Sequence, residues 1–528
     1  MYSGKSFWRR GRIVVLLPSL ALYCLAQQSS APDQEAPVTT LRTTTRLVVL
    51  DVVVTDKKGK PVRNLSRQDF TILEDGAPQT IATFEPPDQH APAAVEEAHQ
   101  NIGARKSSGQ TSSAITSSAL TILVLDELDT RILDQAYARG EIQKFLRAHG
   151  PQLPQPTAVM ALEEKKLELL HDYTSDAGAL ETALRRHPAE LPFRLMTGEG
   201  VVGASERLAD ALEALREIAA ANSHFAGRKN VIWLGPGFPS LNYMITQPSD
   251  KARLLEWVRE RSDLMWQGRL SVYTVDPRGL EVVHENIGGI LSAGGFAAPP
   301  DSTTAELVFE RVAPQTGGRV FRGLNDLDAQ IASSMEDGGS FYALSYSPSN
   351  RDWNGKFRRI RMVMKDPELV ARTRNGYYGF PDLPPTFHEL DRLLSRAVIN
   401  PLSYHALDVQ ARAKITGSQP RTARFTVDLD SAGLRWQVMP NGKHRCEVTV
   451  VAAGFSSKGR LVTHTVKELE VIMDDKKYTE QMNNRKPMEI ALAAEFPLAV
   501  VRARVVARDS SNGNIGTADL TAEGEQFR

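Results

Sequence analysis

The stretch LVLDELDT, residues 123–130, carries an apolar run into three acidic side chains, Asp126, Glu127 and Asp129, and a hydroxyl, Thr130. Oxygens gathered so closely suit either a hard cation or polar contacts with a partner. A second polar group, His171, Asp172 and Thr174 in HDYTSD, follows another apolar segment, and Asp276 closes a third, LSVYTVD. Asp126, Asp129, His171 and Asp276 together would give a metal-assisted hydrolase its ligands and base, which is the one enzymatic reading these residues allow. Against it, no two of the eleven histidines stand at H-x-x-x-H spacing, and the expectation is a protein without catalysis. Ser240 and Ser347 lie in no nucleophile-elbow context. TGGR at 316–319 reads as a helix stop before a strand rather than a phosphate cradle.

Each polar group also has a plainer role. Asp126 can cap local backbone, the Thr, Ser and Asp of TSDAGALE are ordinary N-cap residues, and the glycines and proline of GPGFP, Gly235 to Pro239, shape a turn after a buried strand.

These residues must be positioned by a chain of 528 residues, too long for one core, so two to four domains are expected. Its 63 basic and 63 acidic residues cancel, and no net field draws it to nucleic acid or anionic lipid. KFRRIRMVMK alternates basic and apolar residues and reads as a strand with one wet and one buried face. Residues 1–26 read as an export signal: a basic front at Lys5, Arg9, Arg10 and Arg12, an apolar run from Ile13 to Leu25, and small residues before Gln27. That run, about 13 residues, is shorter than the roughly 20 a spanning helix needs, so no transmembrane segment is expected after cleavage. The mature chain keeps one cysteine, Cys446, which fits burial better than chemistry.

After a disordered stretch at 27–44, residues 45–85 are rich in β-branched residues and turn signals and read as the first part of a β-sandwich. Residues 86–117 collect Pro, Ala, Ser, Gln and Gly, as a flexible linker does. From 118 to 340 apolar strands alternate with amphipathic helices, among them SERLADALEALREIAAAN opening at Ser205, DKARLLEWVRERSDLMW and AELVFERVAPQ. That alternation implies a doubly wound, mostly parallel Rossmann-like sheet. Residues 341–384 return to β alternation, with WNGK as a type I′ hairpin at Asn354 and Gly355, and complete the sandwich begun at 45. The α/β domain is then an insertion, and residues 385–528 form a second β-sandwich.

VLDELDT after the first strand, DYTSD after the third, NVIWLGPGFP at the fourth and APQTGGRVFR near the end resemble the von Willebrand factor A domain. The flanks, TRLVVLDVVVTDKKGKPVRNLSRQDFTILEDGAPQTIATFE and FYALSYSP with its later ARTRNGYY, resemble exported proteins of the acidobacterial type, and the likeness spans roughly 45–380. The resemblance implies a Mg²⁺ or Ca²⁺ site of the form D-x-S-x-S with a further Thr and Asp. Asp126, Thr130 and Thr174 match three of its five ligands, while Leu128 replaces a hydroxyl and Pro236 the last aspartate. The metal site is therefore degenerate, and any ion would be held weakly. What the resemblance implies is a binding or adhesion scaffold, in the periplasm, at the cell surface or secreted. Its protein or matrix partner would meet the rim formed by Asp126, Asp129, Thr130, Thr174, Gly235 and Gly237. A purely structural envelope module is the alternative. Oligomeric state is not written in the sequence.

Overall fold

In a computed structural model of the chain, residues 46–90, 119–189, 200–237, 265–278, 312–381 and 386–521 are described, apart from 165, 224, 226, 267, 324, 417–420 and 485. The expected export signal, the stretch 27–44, most of the linker and most of the helix at 250–266 lie outside them. So does all but the end of the helix at 305–315.

The chain first forms strands β1 (Val48–Thr55), β2 (Phe70–Glu74), β3 (Ala77–Gln79) and β4 (Ile81–Glu85). Val48, Leu50, Val52 and Val54 alternate into one core, as the two-residue strand period requires. Asp75 and Gly76, at φ 48° and 85°, make the tight turn between β2 and β3. The region expected to be linker begins with order: Pro87–Gln89 form a 3₁₀ turn and His90 is buried.

Next come β5 (Leu120–Asp126), α1 (Ile132–Ala148), β6 (Gln152–Glu163), β7 (Lys166–Asp176), α2 (Ala177–Arg186), α3 (Gly200–Ala221), β8 (Lys229–Leu234), β9 (Leu270–Val275), α4 (Val312–Gln315), β10 (Val320–Phe321) and α5 (Leu327–Gly339). The helix expected to open at Ser205 starts five residues earlier, at Gly200. The six strands make one sheet in the order β10-β9-β8-β5-β6-β7, parallel except for β7. Successive residues of a strand face opposite sides, so Leu123, Val159 and Ile232 pack with α1, α2 and α5, whereas Val124, Met160 and Val231 pack with α3. The sheet is thus covered on both faces, which explains its unbroken apolar strands.

The chain then returns through β11 (Phe341–Tyr346), β12 (Phe357–Met364), β13 (Val370–Arg372) and β14 (Gly376–Tyr378). These complete two antiparallel sheets, β13-β1-β11-β4 and β14-β12-β2-β3, whose inner residues share one core with α3. The α/β unit is inserted between the two parts. WNGK is not the hairpin expected: β11 and β12 lie in different sheets, and only Gly355 of that pair has positive φ, 74°.

The last section is not β alone. It opens with α6 (Phe387–Ile399), capped by Thr386 and Glu389 in a capping box. Leu394, Ala397 and Val398 of α6 join the core shared with α3. Strands β15 (Val409–Thr416), β16 (Thr422–Leu429), β17 (Gln437–Val438), β18 (His444–Phe455) and β19 (Leu461–Met473) follow, then α7 (Asp475–Asn484), β20 (Met488–Glu495), β21 (Arg502–Asp509) and β22 (Ile515–Thr521). They form the sheets β15-β16-β20 and β17-β18-β21-β22, with β19 on β18, around a separate core that buries Cys446. Burial pushes that thiol up to about 12, which leaves it inert at neutral pH.

Candidate functional site

Strand order reverses between β5 and β8, since β5 is followed outward by β6 and β7 on one side and by β8, β9 and β10 on the other. In open α/β sheets this switch point, at the carboxyl ends, is where ligands gather. Leu125 pairs with Leu234 there, which sets Asp126 beside Gly235. The approach is so close that a Cβ on residue 235 would lie 2.6 Å from the Asp126 Cβ. Glycine is needed at 235 for Asp126 to sit where it does.

Asp126 is turned toward the α3 face and is 2% exposed. The buried Trp233 indole donates from Nε1 to Asp126 Oδ2 at 2.9 Å, and the Asp129 backbone N–H donates to Oδ1 at 3.0 Å. Burial first, and the neighbouring Asp129 charge second, push the Asp126 carboxyl up to about 8, so it is protonated at neutral pH. Asp129 accepts from Arg207 Nε of α3 at 2.5 Å. Leu128, 1% exposed, turns into the core where the metal pattern has a hydroxyl. Thr130 is buried, and its hydroxyl has no hydrogen-bond partner among the described residues.

These residues do not fit a divalent cation. Both oxygens of Asp126 are already engaged, residues 235–237 offer no carboxylate, and the guanidinium of Arg207 supplies the positive charge against Asp129. Thr174 cannot help, which corrects its expected place on the rim. Asp126 is level with Leu162, but Thr174 pairs with Thr157, and Thr157 pairs with Thr121 at the start of β5. Thr174 therefore stands at the opposite end of the sheet. The reason is direction: β7 runs antiparallel to β6 and carries its last residues away from Asp126. Thr174 Oγ1 accepts from the Asp176 N–H at 3.1 Å, and Asp176 caps α2 by accepting from Gly178 and Ala179.

The hydrolase grouping is not assembled either. Asp276 does share the carboxyl end, where Arg278 holds both its oxygens. His171, however, pairs with Val159 at the level of Leu123, about 10 Å down the sheet from Asp126 at the usual rise per residue. It lines an open groove of about 600 Å³ between β7 and α2, together with Thr182, Arg186 and His187.

Glu127, next in sequence to Asp126, points to the other face and meets a set of residues that sequence patterns did not single out. Arg139 of α1 donates to one carboxylate oxygen of Glu127, and His187 Nε2 lies 3.2 Å from the other. Arg139 also donates to the His187 carbonyl at 2.5 Å. Glu163, ending β6, accepts Lys166 at 2.9 Å. Glu127, Glu163 and His187 are close enough to hold a metal, yet Arg139 and Lys166 already balance the two carboxylates. The hydrogen bond that His187 donates to the Glu127 carboxylate raises the imidazole above its ordinary value. The cluster is a clamp that ties α1 and the end of α2 to the sheet.

Among the described residues, the exposed apolar side chains at this rim come from the start of α1. The Leu133 side chain is 80% exposed, Ile132 is 38% exposed, and Arg131 reaches outward while pairing with Asp134 at 2.8 Å. On the β8 side, Arg322 donates to the Pro236 carbonyl at 3.2 Å, and Gly237 adopts φ 92°.

No protein-family model matches the chain, and no curated protein does. Solved structures similar to it include the N-terminal domain of TFIIH p34, at 13% identity and TM-score 0.21, covering 42% of this chain and 98% of that one. The VWA domain of SpRpn10 is similar at 10% identity and TM-score 0.16, over 30% of this chain and 88% of that one. The pilus adhesin SpaC from Lactobacillus rhamnosus GG, at 8% identity and TM-score 0.25, aligns over 87% of this chain and 58% of its own. At such scores the fold rests on the strand order itself. Among the described residues, no helix is long and apolar enough to cross a membrane.

Proposed function

We propose that the chain is an exported binding scaffold of von Willebrand factor A type, without catalysis, whose protein partner docks at the carboxyl rim of the parallel sheet and needs no bridging metal. The observation that supports this most is the sealing of Asp126 by Trp233, Gly235 and its own loop at the switch point. A carboxyl kept protonated and out of solvent does not bridge to a partner's acidic group through an ion. The contact surface instead comprises Arg131, Ile132 and Leu133, beside the nearly buried Asp129–Arg207 pair.

Covering an exposed leucine stabilises a complex by about 2 kcal/mol, so Leu133→Arg should weaken capture at least roughly 30-fold. The test is capture of cross-linked partners on the cells that make the protein, with wild type and Leu133→Arg compared in EDTA and in Mg²⁺. Equal capture in EDTA and Mg²⁺, lost in Leu133→Arg, is the expected result. Capture unchanged by Leu133→Arg moves the interface elsewhere, and capture abolished by EDTA overturns the metal-free reading.

A further inference from the structure

In the last section of the chain, exposed apolar side chains are not scattered. Of the six large ones among the described residues 400–528, four gather at one end of β18: Leu461, Val462, Leu498 and Val501. The other two, Val438 and Ile472, lie at its opposite end, beside His444 and Arg445. Leu498 is 66% exposed. Single exposed leucines are ordinary on a protein surface, whereas a contiguous apolar set marks a contact with a partner or a membrane.

Strand pairing makes the four neighbours. Phe455, which ends β18, lies opposite Leu461 of β19 on one side and Arg502 of β21 on the other, and its carbonyl accepts from the Val501 N–H at 2.9 Å. The turn 456–460 and the loop 496–501 therefore project from the same end. Phe496 and Val500 are buried and root that loop in the core around Cys446, which leaves Leu498 standing between them at its apex. The Phe496 N–H donates to the Arg421 carbonyl at 2.9 Å and so brings a third basic residue here. Lys458 and Arg460 on the turn are exposed, and neither they nor Arg421 has an ion-pair partner among the described residues. Arg502 is engaged, with its guanidinium 4.5 Å over the Phe455 ring and 3.1 Å from Asp519. Against the three unpaired cations, the described residues at this end set one unpaired carboxylate, Glu495.

We propose that this end is a peripheral contact with an anionic lipid surface: Leu461, Val462, Leu498 and Val501 enter the boundary between headgroups and acyl chains, and Lys458, Arg460 and Arg421 meet lipid phosphates. Apolar side chains on projecting turns, flanked by long cations, suit that boundary, because the cationic stems lie along apolar neighbours while their charges stay in water. The cancelling charge of the whole chain does not oppose this. Screening limits each charge to a reach of about 8 Å, so the attraction is set by the cations at the contact.

The test uses the full-length chain and vesicles of phosphatidylcholine with and without phosphatidylglycerol. Residues 13–25 are apolar enough to reach vesicles by themselves, so the readout must be local. With Cys24→Ser as background and Cys446 buried, a nitrobenzoxadiazole label is placed at Leu498→Cys or, for comparison, at Leu133→Cys. Phosphatidylglycerol vesicles should shift the emission of the label at 498 to the blue, saturably, and leave the label at 133 unchanged. Lys458→Glu with Arg460→Glu should raise the lipid needed for half the shift at least roughly tenfold. Leu461→Asp with Val501→Asp should do the same, and Val501→Asp alone serves should the double variant melt early. Vesicle binding without a shift at 498, an equal shift at 133, or equal lipid affinity after the charge reversal would each overturn the proposal. So would vesicles left unbound, the outcome expected if the partner at this end is a protein.

Discussion

The two ends of the parallel sheet handle buried polar groups in opposite ways. At the carboxyl end, Asp126 and Glu127 are both 2% exposed, and the chain itself answers both. One keeps a proton under Trp233, and the other meets Arg139 and His187. At the amino end a buried imidazole, His90, is stacked on Phe341 instead, at the border of a cavity of about 630 Å³. An end that is internally satisfied can act only through its outer surface, here the start of α1. The amino end closes less tightly, and an apolar-walled space is left where the α/β unit meets the first pair of sheets.

The contrast is broken most forcefully at Arg139. Removing one member of a buried ion pair strands the other charge, so Arg139→Ala should cost about 3–5 kcal/mol in urea unfolding. Arg139→Met with Glu127→Leu should restore much of that loss. A single variant of near wild-type stability would mean that the carboxyl end is not closed by this pair. Gly235→Val should come next, at about 1–3 kcal/mol for forcing a side chain against Asp126. A tolerated valine would place Asp126 elsewhere.

The pH dependence spreads its effects over several units. Asp126 has a folded pKa raised above its unfolded value, so its contribution is fully present below about pH 4 and is lost as pH rises through about 8. Stability should therefore decline between pH 5 and 8, by at most about 1.4 kcal/mol per unit from this group. Asp126→Asn should flatten that slope in urea titrations, and an unchanged slope would assign it to another group. His187 has the same sign: raised by Glu127, it stabilises below its unfolded value near 6.5 and loses that effect as pH climbs through its folded value. His187→Asn should remove a fainter slope, visible once Asp126→Asn has taken away the larger one.

Much of the architecture is legible in the sequence because burial on two faces leaves unbroken apolar strands, while helices between them keep a three-to-four residue period. The strands on either side of the α/β unit are legible too, since turn residues such as Asp75 and Gly76 mark where they end. The direction of β7 was written there as well. Only Glu164 and Lys165 separate β6 from β7, and so short a connection can make only an antiparallel pair. Read that way, Thr174 falls at the far end. The capping box of Thr386 and Glu389, passed over in reading 385–528 as β alone, marks the start of α6.

The closure of the candidate site was not legible. Trp233 stands 107 residues from Asp126, and Arg207 stands 78 residues from Asp129. Nothing local distinguishes a core tryptophan that donates to a carboxyl from one that merely fills space. Arg139 sits within α1, where an arginine ordinarily points to solvent, and only the position of Glu127 at the end of β5 draws it inward. The ligand count did register the gaps at Leu128 and Pro236, but not that an arginine balances the charge beside them.

Trp233 offers the most direct test of the central claim, because its indole N–H donates to the carboxyl that a metal would have to take. The measurement is the indole ¹⁵N–¹H resonance of Trp233 in protein titrated with Mg²⁺ and then Mn²⁺, with Asp126→Ala as the reference for a broken contact. The expected result is a Trp233 signal that Asp126→Ala shifts and that Mg²⁺ leaves in place, with no localised Mn²⁺ broadening. A saturable Mg²⁺ shift toward the Asp126→Ala position, with Mn²⁺ erasing the same signal, would contradict it.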